Sequence, residues 1–326
     1  MCAVELRQAG LHLSGTELWL DARRSSELSF VSHAHGDHIA RHRRTIATAA
    51  TLRLMALRLG KLPGALPAPY RRPFELGPLS LELIPAGHVK GSAQLLVICP
   101  DGHRVLYTGD INPRPSFTAE PLEVAECDTL VLESTFGHPR YRFPPRERVL
   151  EEIEAFCRAE LERGVAPVLL GYPLGKSQEA ICFLLSRGLK VAAHASIGEV
   201  TRLYEDLGTP IGEVRRFAGT LQPGEVLVYP PRLARTVALT RLRPRRVAVL
   251  TGWALDEGAA RRYGADVAFP LSDHADFDQL LEYARRTGAR EVLTHHGFAR
   301  ELSAALREQG LRARALGQAD QLALFG

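Results

Sequence analysis

Ser32-His33-Ala34-His35-Gly36-Asp37-His38 decides how the rest of this chain is read. It follows the apolar run 28–32, which reads as a strand closing in a polar loop. Three histidines and an aspartate in so short a stretch are too many polar groups to be core filler. Imidazole and carboxylate together suit Zn²⁺ or Mn²⁺. A loop leaving a strand can splay His33 and His35 toward one ion while Asp37 and His38 turn to a neighbouring one. Gly36 lets the chain bend between the two pairs. The bland alternative is a surface histidine run.

A pair of ions needs more ligands than one loop supplies. Three candidates stand at the ends of other strand-like runs. His88 follows Leu81-Glu82-Leu83-Ile84-Pro85-Ala86-Gly87, Asp110 follows Val105-Leu106-Tyr107-Thr108-Gly109, and His296 follows Val292-Leu293-Thr294-His295. Each is weak alone, because a single histidine is more often a hydrogen-bonded structural residue. Together they complete two sites that share a carboxylate.

The remaining pattern is that of a layered α/β protein. Strand-like runs occupy 79–84, 95–99, 105–108 and 129–133. From there the period changes. Helical patterns at 147–163, 176–187 and 199–207 alternate with strand-like 166–170, 189–193 and 247–251. The last part reads strand 267–270, helix 277–287, strand 291–294 and helix 300–309. No internal repeat or low-complexity segment is visible.

The motifs together resemble a known family. His33-x-His35-x-Asp37-His38, Gly87-His88 and Thr108-Gly109-Asp110 are similar to the metal-binding motifs of the metallo-β-lactamase fold. Glu133-Ser134-Thr135-Phe136-Gly137, Leu174-Gly175-Lys176-Ser177-Gln178-Glu179, Ser272-Asp273-His274-Ala275-Asp276 and His296-Gly297 resemble the β-CASP nucleases of that superfamily. Within them, the chain most resembles the bacterial DNA ligase-associated exonuclease group. The resemblance implies an αββα metallo-β-lactamase sandwich, residues 1–139 and 251–326, with an inserted β-CASP α/β domain at 140–250. It implies that His33, His35 and His88 hold one zinc, that Asp37, His38 and His296 hold a second, and that Asp110 bridges them. Manganese is the other metal in view. Of the adjacent pair His295 and His296, the family histidine is the one preceding a glycine, hence His296. Asp21 resembles the family aspartate that orients ligands from behind, and Glu133 and His274 match the carboxylate and histidine beside the metals.

Charge supports a polyanionic substrate. The formal net charge of the whole chain, 326 residues and 35.9 kDa, is only +4. Residues 140–250 carry 18 Lys+Arg against 12 Asp+Glu, which leaves the rest of the chain slightly acidic. Nine arginines lie between 202 and 246, Arg232 and Arg235 among them. A solvated face is one reading of them and a backbone-tracking surface the other. Lys176, after Gly175 at a helix start, is positioned to hold a phosphate oxygen with the helix amides; an ordinary solvated lysine is the alternative. The expected reaction is attack of metal-activated water on a phosphodiester. His274, oriented by Glu133, protonates the leaving 3′ oxygen. The products are a 5′-phosphate and a 3′-hydroxyl.

Several classes are excluded or ranked lower. No run of about 18 apolar residues exists, which argues against a membrane span, and 1–7 lacks the form of a secretory signal. Cys2, Cys99, Cys127, Cys157 and Cys182 include no Cys-x-x-Cys pair, so a reduced, cytoplasmic compartment without disulfides is expected. A DNA exonuclease in repair leads the functional readings, and an RNA-processing β-CASP ribonuclease is the alternative; family resemblance adds a DNA ligase and a helicase as partners. Finally, Gln321-Leu322-Ala323-Leu324-Phe325-Gly326 resembles the Gln-Leu-x-Leu-Phe peptide by which bacterial repair proteins dock onto the DNA sliding clamp. An edge strand on the protein's own sheet is the other reading of that peptide.

Overall fold

A computed structural model of the chain describes residues 3–317. The sliding-clamp reading of Gln321, Leu322, Leu324 and Phe325 lies outside those residues. The chain divides into two compact units. The described part of the first comprises 3–115, 119–142 and 274–317, and the second comprises 116–118 and 143–273.

The first unit is built on two sheets. Sheet one runs β1 (Val4–Arg7), β2 (Gly10–Leu13), β3 (Leu18–Leu20), β4 (Leu28–Phe30), β5 (Arg44–Ala47) and β6 (Ala65–Pro67), in that spatial order. The helix Ala49–Leu59 carries the chain from β5 to its parallel neighbour β6 and is capped by Thr48, whose hydroxyl accepts from Thr51 N at 3.1 Å. Sheet two contains β7 (Phe74–Leu76), β8 (Leu79–Pro85), β9 (Ala93–Ile98), β10 (Arg104–Tyr107) and β11 (Thr129–Glu133). On the far side of β11 it continues with two strands from the end of the chain, Glu291–His295 and Arg312–Ala315.

Alternation along these strands sends one set of side chains between the sheets. Leu18, Leu20, Leu28 and Phe30 from sheet one pack with Leu81, Leu83, Leu95, Val97, Val105 and Tyr107 from sheet two. The opposite set, including Ile84, Leu96, Leu106, Leu130 and Leu132, packs against the helices Phe277–Arg286 and Ala299–Glu308. Both helices are amphipathic, with Leu280, Ala284, Leu302 and Leu306 on their buried sides. Asp276 opens the first of them with a capping box, its carboxylate accepting from Gln279 N at 3.0 Å.

The second unit holds one all-parallel sheet: β12 (Ala166–Leu170), β13 (Lys190–Ala193), β14 (Arg215–Arg216), β15 (Glu225–Tyr229), β16 (Arg245–Leu250) and β17 (Val267–Phe269), in the spatial order β14-β13-β15-β12-β16-β17. The central strands β12 and β15 are buried and, apart from Glu225 at the start of β15, largely apolar, as a sheet covered on both faces requires. The strands Glu291–His295 and Arg312–Ala315 of the first unit are β18 and β19.

The boundary of this unit differs from the expected 140–250. Its sheet continues past β16 to β17, which pairs with β16 in parallel, so residues 251–273 belong with it. Residues 116–118 also belong with it. The buried Glu179 carboxylate accepts from Ser116 Oγ at 2.6 Å, Thr118 Oγ1 at 3.0 Å and Arg146 Nη1 at 2.7 Å. Arg146 in turn donates to Ser272 O at 3.0 Å.

Other departures are local. The helix expected at 199–207 is Ala195–Asp206, because His194 caps it by accepting from Ser196 N at 3.2 Å. Cys127, Cys157 and Cys182 are free thiols. Among the described residues no helix is long and apolar enough to cross a membrane.

Glu179→Ala removes one partner of a buried ion pair and strands Arg146. It is expected to cost about 3–5 kcal/mol, read as a lowered midpoint of denaturant unfolding followed by a probe in 143–273. An unchanged midpoint would show that this network does not hold the unit together.

Candidate metal centre

The strand directions of the first unit decide where its polar side chains meet. β8 and β10 are both antiparallel to β9, β10 is parallel to β11, and β11 is parallel to β18. The C-terminal ends of β8, β10, β11 and β18 therefore share one edge of sheet two. Glu133 and His295 close β11 and β18, and His88, Asp110 and His296 lie just beyond the ends of β8, β10 and β18. From sheet one, β4 delivers the loop 32–38. Two glycines make the approach possible. Gly87 has φ +76°, and a Cβ there would lie 2.1 Å from Asn112 O. Gly109 has φ +54°, and its Cβ would lie 2.4 Å from Ser32 Cβ.

His33, His35, His88 and Asp110 each offer one ligand atom, all within 4.8 Å of one another. His88 Nε2 is 3.0 Å from His35 Nδ1. Asp110 Oδ2 is 3.4 Å from His33 Nε2 and 3.7 Å from His88 Nε2. Four donors on one zinc at its usual bond lengths form a tetrahedron with edges of about 3.3 Å, so these spacings fit a divalent ion. The buried His33 Nε2 also has no hydrogen-bond partner, which is costly unless an ion takes its lone pair.

The proton positions follow from a single buried carboxylate. Asp21 accepts from Ser32 N at 2.7 Å, Ser32 Oγ at 2.5 Å, Tyr107 Oη at 2.8 Å and His38 Nδ1 at 2.7 Å. Ser32 has given its only proton to Asp21, so at 3.0 Å its oxygen accepts from His33 Nδ1–H. That leaves the His33 Nε2 lone pair facing the cluster. His38 donates from Nδ1 in the same way and presents Nε2.

The second set is looser. His38 Nε2 lies 3.4 Å from Asp110 Oδ2 and 3.8 Å from Asp37 Oδ2, and the Asp37 side chain is 60% exposed. One Asp110 oxygen thus faces His33 and His38 alike. His296 has φ +64°, rare for a non-glycine residue. Its ring centroid is 5.7 Å from that of His38. Its nearest polar partner is Arg23, whose Nη2 is 3.0 Å from Nδ1. His295 turns instead into the interior against Tyr107, with ring centroids 5.6 Å apart.

Beside these ligands stands a carboxylate–imidazole pair. Both Glu133 oxygens lie 3.2 Å from His274 Nδ1, and Ile111 N donates to Glu133 Oε1 at 2.7 Å. Burial alone would raise the Glu133 pKa, but His274 and these hydrogen bonds hold it below its ordinary value. Burial, reinforced by Glu133 and Asp37, raises Asp110 to about 7 despite the pull of His38 and His274. Burial and the neighbouring imidazoles keep His33 well below its ordinary value. For His38, burial pushes the other way, but Asp110, Asp37 and Asp21 outweigh it and lift the ring to about 10.

The expected substrate-binding residues lie in the second unit. Lys176 is only 8% exposed, and its Nζ is 2.5 Å from Asp273 Oδ1. Its charge is spent on that buried ion pair, which corrects the expectation of a cation facing solvent or a phosphate. Arg232 and Arg235 are exposed, as are Arg241 and Arg243. Arg245 instead donates to Thr240 O and Leu242 O, and Arg246 pairs with Glu160 at 3.2 Å. Sequence reasoning did not anticipate Arg23, Ser32 or Tyr107 in the centre. Only the closeness of Arg23 to Asp21 and of Ser32 to His33 in the chain hinted at them.

Two stacked sheets flanked by helices, with His and Asp ligands gathered at strand ends, define a protein of the metallo-β-lactamase class. No family model matches the chain. It is 41% identical over 316 residues to a probable DNA ligase of Opitutus terrae, covering 97% of this chain and 31% of that protein. It is 27% identical over 311 residues to the DNA cross-link repair protein SNM1 of Arabidopsis thaliana, covering 84% of this chain and 62% of that one. It is 24% identical over 270 residues to an RNase J-like protein of Methanocaldococcus jannaschii, covering 65% and 62%. The chain belongs to the metallo-β-lactamase β-CASP family, and it spans less than two thirds of the length of these relatives.

In the ion-free protein, a His38 lifted to about 10 carries its proton at neutral pH, and the proton competes with any cation for Nε2. Metal binding is therefore expected to release protons, and apparent affinity to rise with pH and fall as His38 and Asp110 protonate. Calorimetric titration in two buffers of different ionisation enthalpy measures the release. Identical heats in both would contradict it.

Proposed function

We propose that this chain is a metal-dependent DNA exonuclease, acting in repair and leaving 5′-phosphate and 3′-hydroxyl ends. The observation that carries the reading is the junction, through Asp110, of a metal-ligand cluster with an acid–base pair. Asp110 shares one set of neighbouring ligand atoms with His33, His35 and His88, and another with Glu133 and His274.

Bound divalent ions would acidify a water molecule and neutralise the scissile phosphate. We assign His33, His35, His88 and Asp110 to one ion, and Asp37, His38, His296 and Asp110 to the other, with zinc the first choice and manganese the second. The chain's own contribution is the proton. Glu133 holds His274 by Nδ1 and stabilises its charged form, leaving Nε2 to protonate the departing 3′ oxygen. Cleavage there yields the two termini that a ligase joins. The names of the Opitutus and Arabidopsis relatives support DNA repair beside a ligase as the setting; the cytoplasm is the compartment proposed for it. Exposed Arg232 and Arg235 are proposed to track the phosphate backbone. The RNase J-like relative supports an RNA substrate as the second reading.

Pure protein loaded with Zn²⁺ or Mn²⁺, tested on labelled single-stranded DNA, duplex DNA and RNA, separates these readings. His274→Ala is expected to keep its metal and substrate affinity and lose roughly 10²–10⁴ in rate. Asp110→Asn is expected to lose metal and activity together. A His274→Ala enzyme cutting at wild-type rate would remove the proposed proton donor.

The surface arginines have their own test. Reversing charge at Arg232, Arg235, Arg241 and Arg243 is expected to weaken polynucleotide binding and reduce its salt dependence, while hydrolysis of a small phosphodiester stays the same. Equal losses on both substrates would mean these arginines are structural.

A further inference from the structure

The two ligand sets of the first unit are not equally ready. His33, His35, His88 and Asp110 stand assembled within 4.8 Å of one another. His296 is engaged elsewhere, with Arg23 Nη2 3.0 Å from its Nδ1 and 3.5 Å from its Nε2. Arginine only donates hydrogen bonds, so the imidazole must turn a lone pair to it. A neutral imidazole has one lone pair in the ring plane, and if Nδ1 gives it to Arg23 then Nε2 carries the hydrogen. Held this way, His296 has no atom left for a cation. Arg23 also places a permanent positive charge beside the second position.

The backbone suggests that this arrangement is built in. His296 has φ +64° and Asp21, two residues before Arg23, has φ +48°, conformations that persist only where surrounding contacts enforce them. Arg23 N donates to Ala9 O at 2.8 Å, which fixes the base of the side chain. Its guanidinium end is exposed and matches a phosphate better than an imidazole, because it can bind two oxygens at once.

We propose that Arg23 is a latch on the second ion position: it holds His296 away in the free protein and releases it when a nucleic-acid phosphate takes its place. The first position then fills without substrate, and the second fills tightly only with substrate present. This rests on the nuclease reading for the phosphate and on the chain's own geometry for the latch.

The test is metal binding, measured without turnover. Wild-type protein is titrated with Zn²⁺ or Mn²⁺ by calorimetry, with metal analysis after dialysis, alone and with a phosphorothioate oligonucleotide that resists cleavage. Two classes of ion are expected, one retained through dialysis and one weaker, with the weaker class tightened by the oligonucleotide. Arg23→Ala is expected to tighten the weaker class roughly tenfold without oligonucleotide, the scale on which a residue bonded to a metal ligand acts. It should leave the first class unchanged and abolish the further gain on adding oligonucleotide. Two equivalent ions in the wild type, or a second class unmoved or weakened in Arg23→Ala, would overturn the latch. If DNA is still cut in those cases, the nuclease reading stands; if no ion binds at all, both fail.

Discussion

The centre depends on one buried carboxylate. Asp21 directly follows β3 of sheet one, yet its two oxygens take hydrogen bonds from the loop after β4 and from Tyr107 on β10 of sheet two. It therefore ties the two sheets together at the edge where the ligands gather. Burying a carboxylate costs several kcal/mol, and only a full set of donors offsets that cost. Four donors do so here, and each also has a consequence. Burial and Asp21 push Tyr107 well above its ordinary range, so it stays a donor. Ser32 passes the orientation on to His33, and His38 is oriented directly. A single acceptor thus sets the direction of two lone pairs.

Sheet topology supplies the other half. Strands that share a direction end on the same side, and only C-terminal ends carry this chain's ligands in sheet two. Strong apolar pairing along β8, β10, β11 and β18 allows the residues just beyond to be polar and strained. Gly87 and Gly109 show how tight that edge is, since neither position has room for a Cβ. Rigid strands hold the first ligand set in place before any ion arrives. The second set relies on Asp37, which is mostly exposed, and on His296 at a strained turn. Readiness thus falls from the sheet interior outward, and that gradient allows one ion position to be regulated while the other is fixed.

Much of this was legible in the sequence because the ligands stand where apolar runs stop. A run such as Thr129–Glu133 announces its own strand, and a charged residue closing it invites explanation. Long-range pairings were not legible. Lys176 after Gly175 has the local form of an anion site, but Asp273, far along the chain, takes its charge. The insert appeared to end at 250 because nothing local joins β17 to β16; only the sheet does. β15, with its buried Glu225–Tyr229, lay among arginines and drew no attention as a strand. Arg215 reads as surface charge, yet it holds the buried Glu225.

The same reasoning explains why arginine is informative here only after its partners are known. Arg146 and Glu179 are buried together, and Arg245 closes the end of a short helix through backbone carbonyls. Arg146 adds to the formal charge of the unit but not to its outward field, because Glu179 matches its charge within hydrogen-bond distance; the carbonyls on Arg245 fix its direction and leave its charge in place. Arg235, Arg241 and Arg243 are exposed and contribute to the potential that a polyanion meets. Arg23 belongs to neither group. It is exposed, but its partner is an imidazole that an ion also wants, so its contact competes with function rather than with solvent. A cation in that position makes the ligand set responsive to an incoming anion, which neither a buried ion pair nor a free surface charge can do.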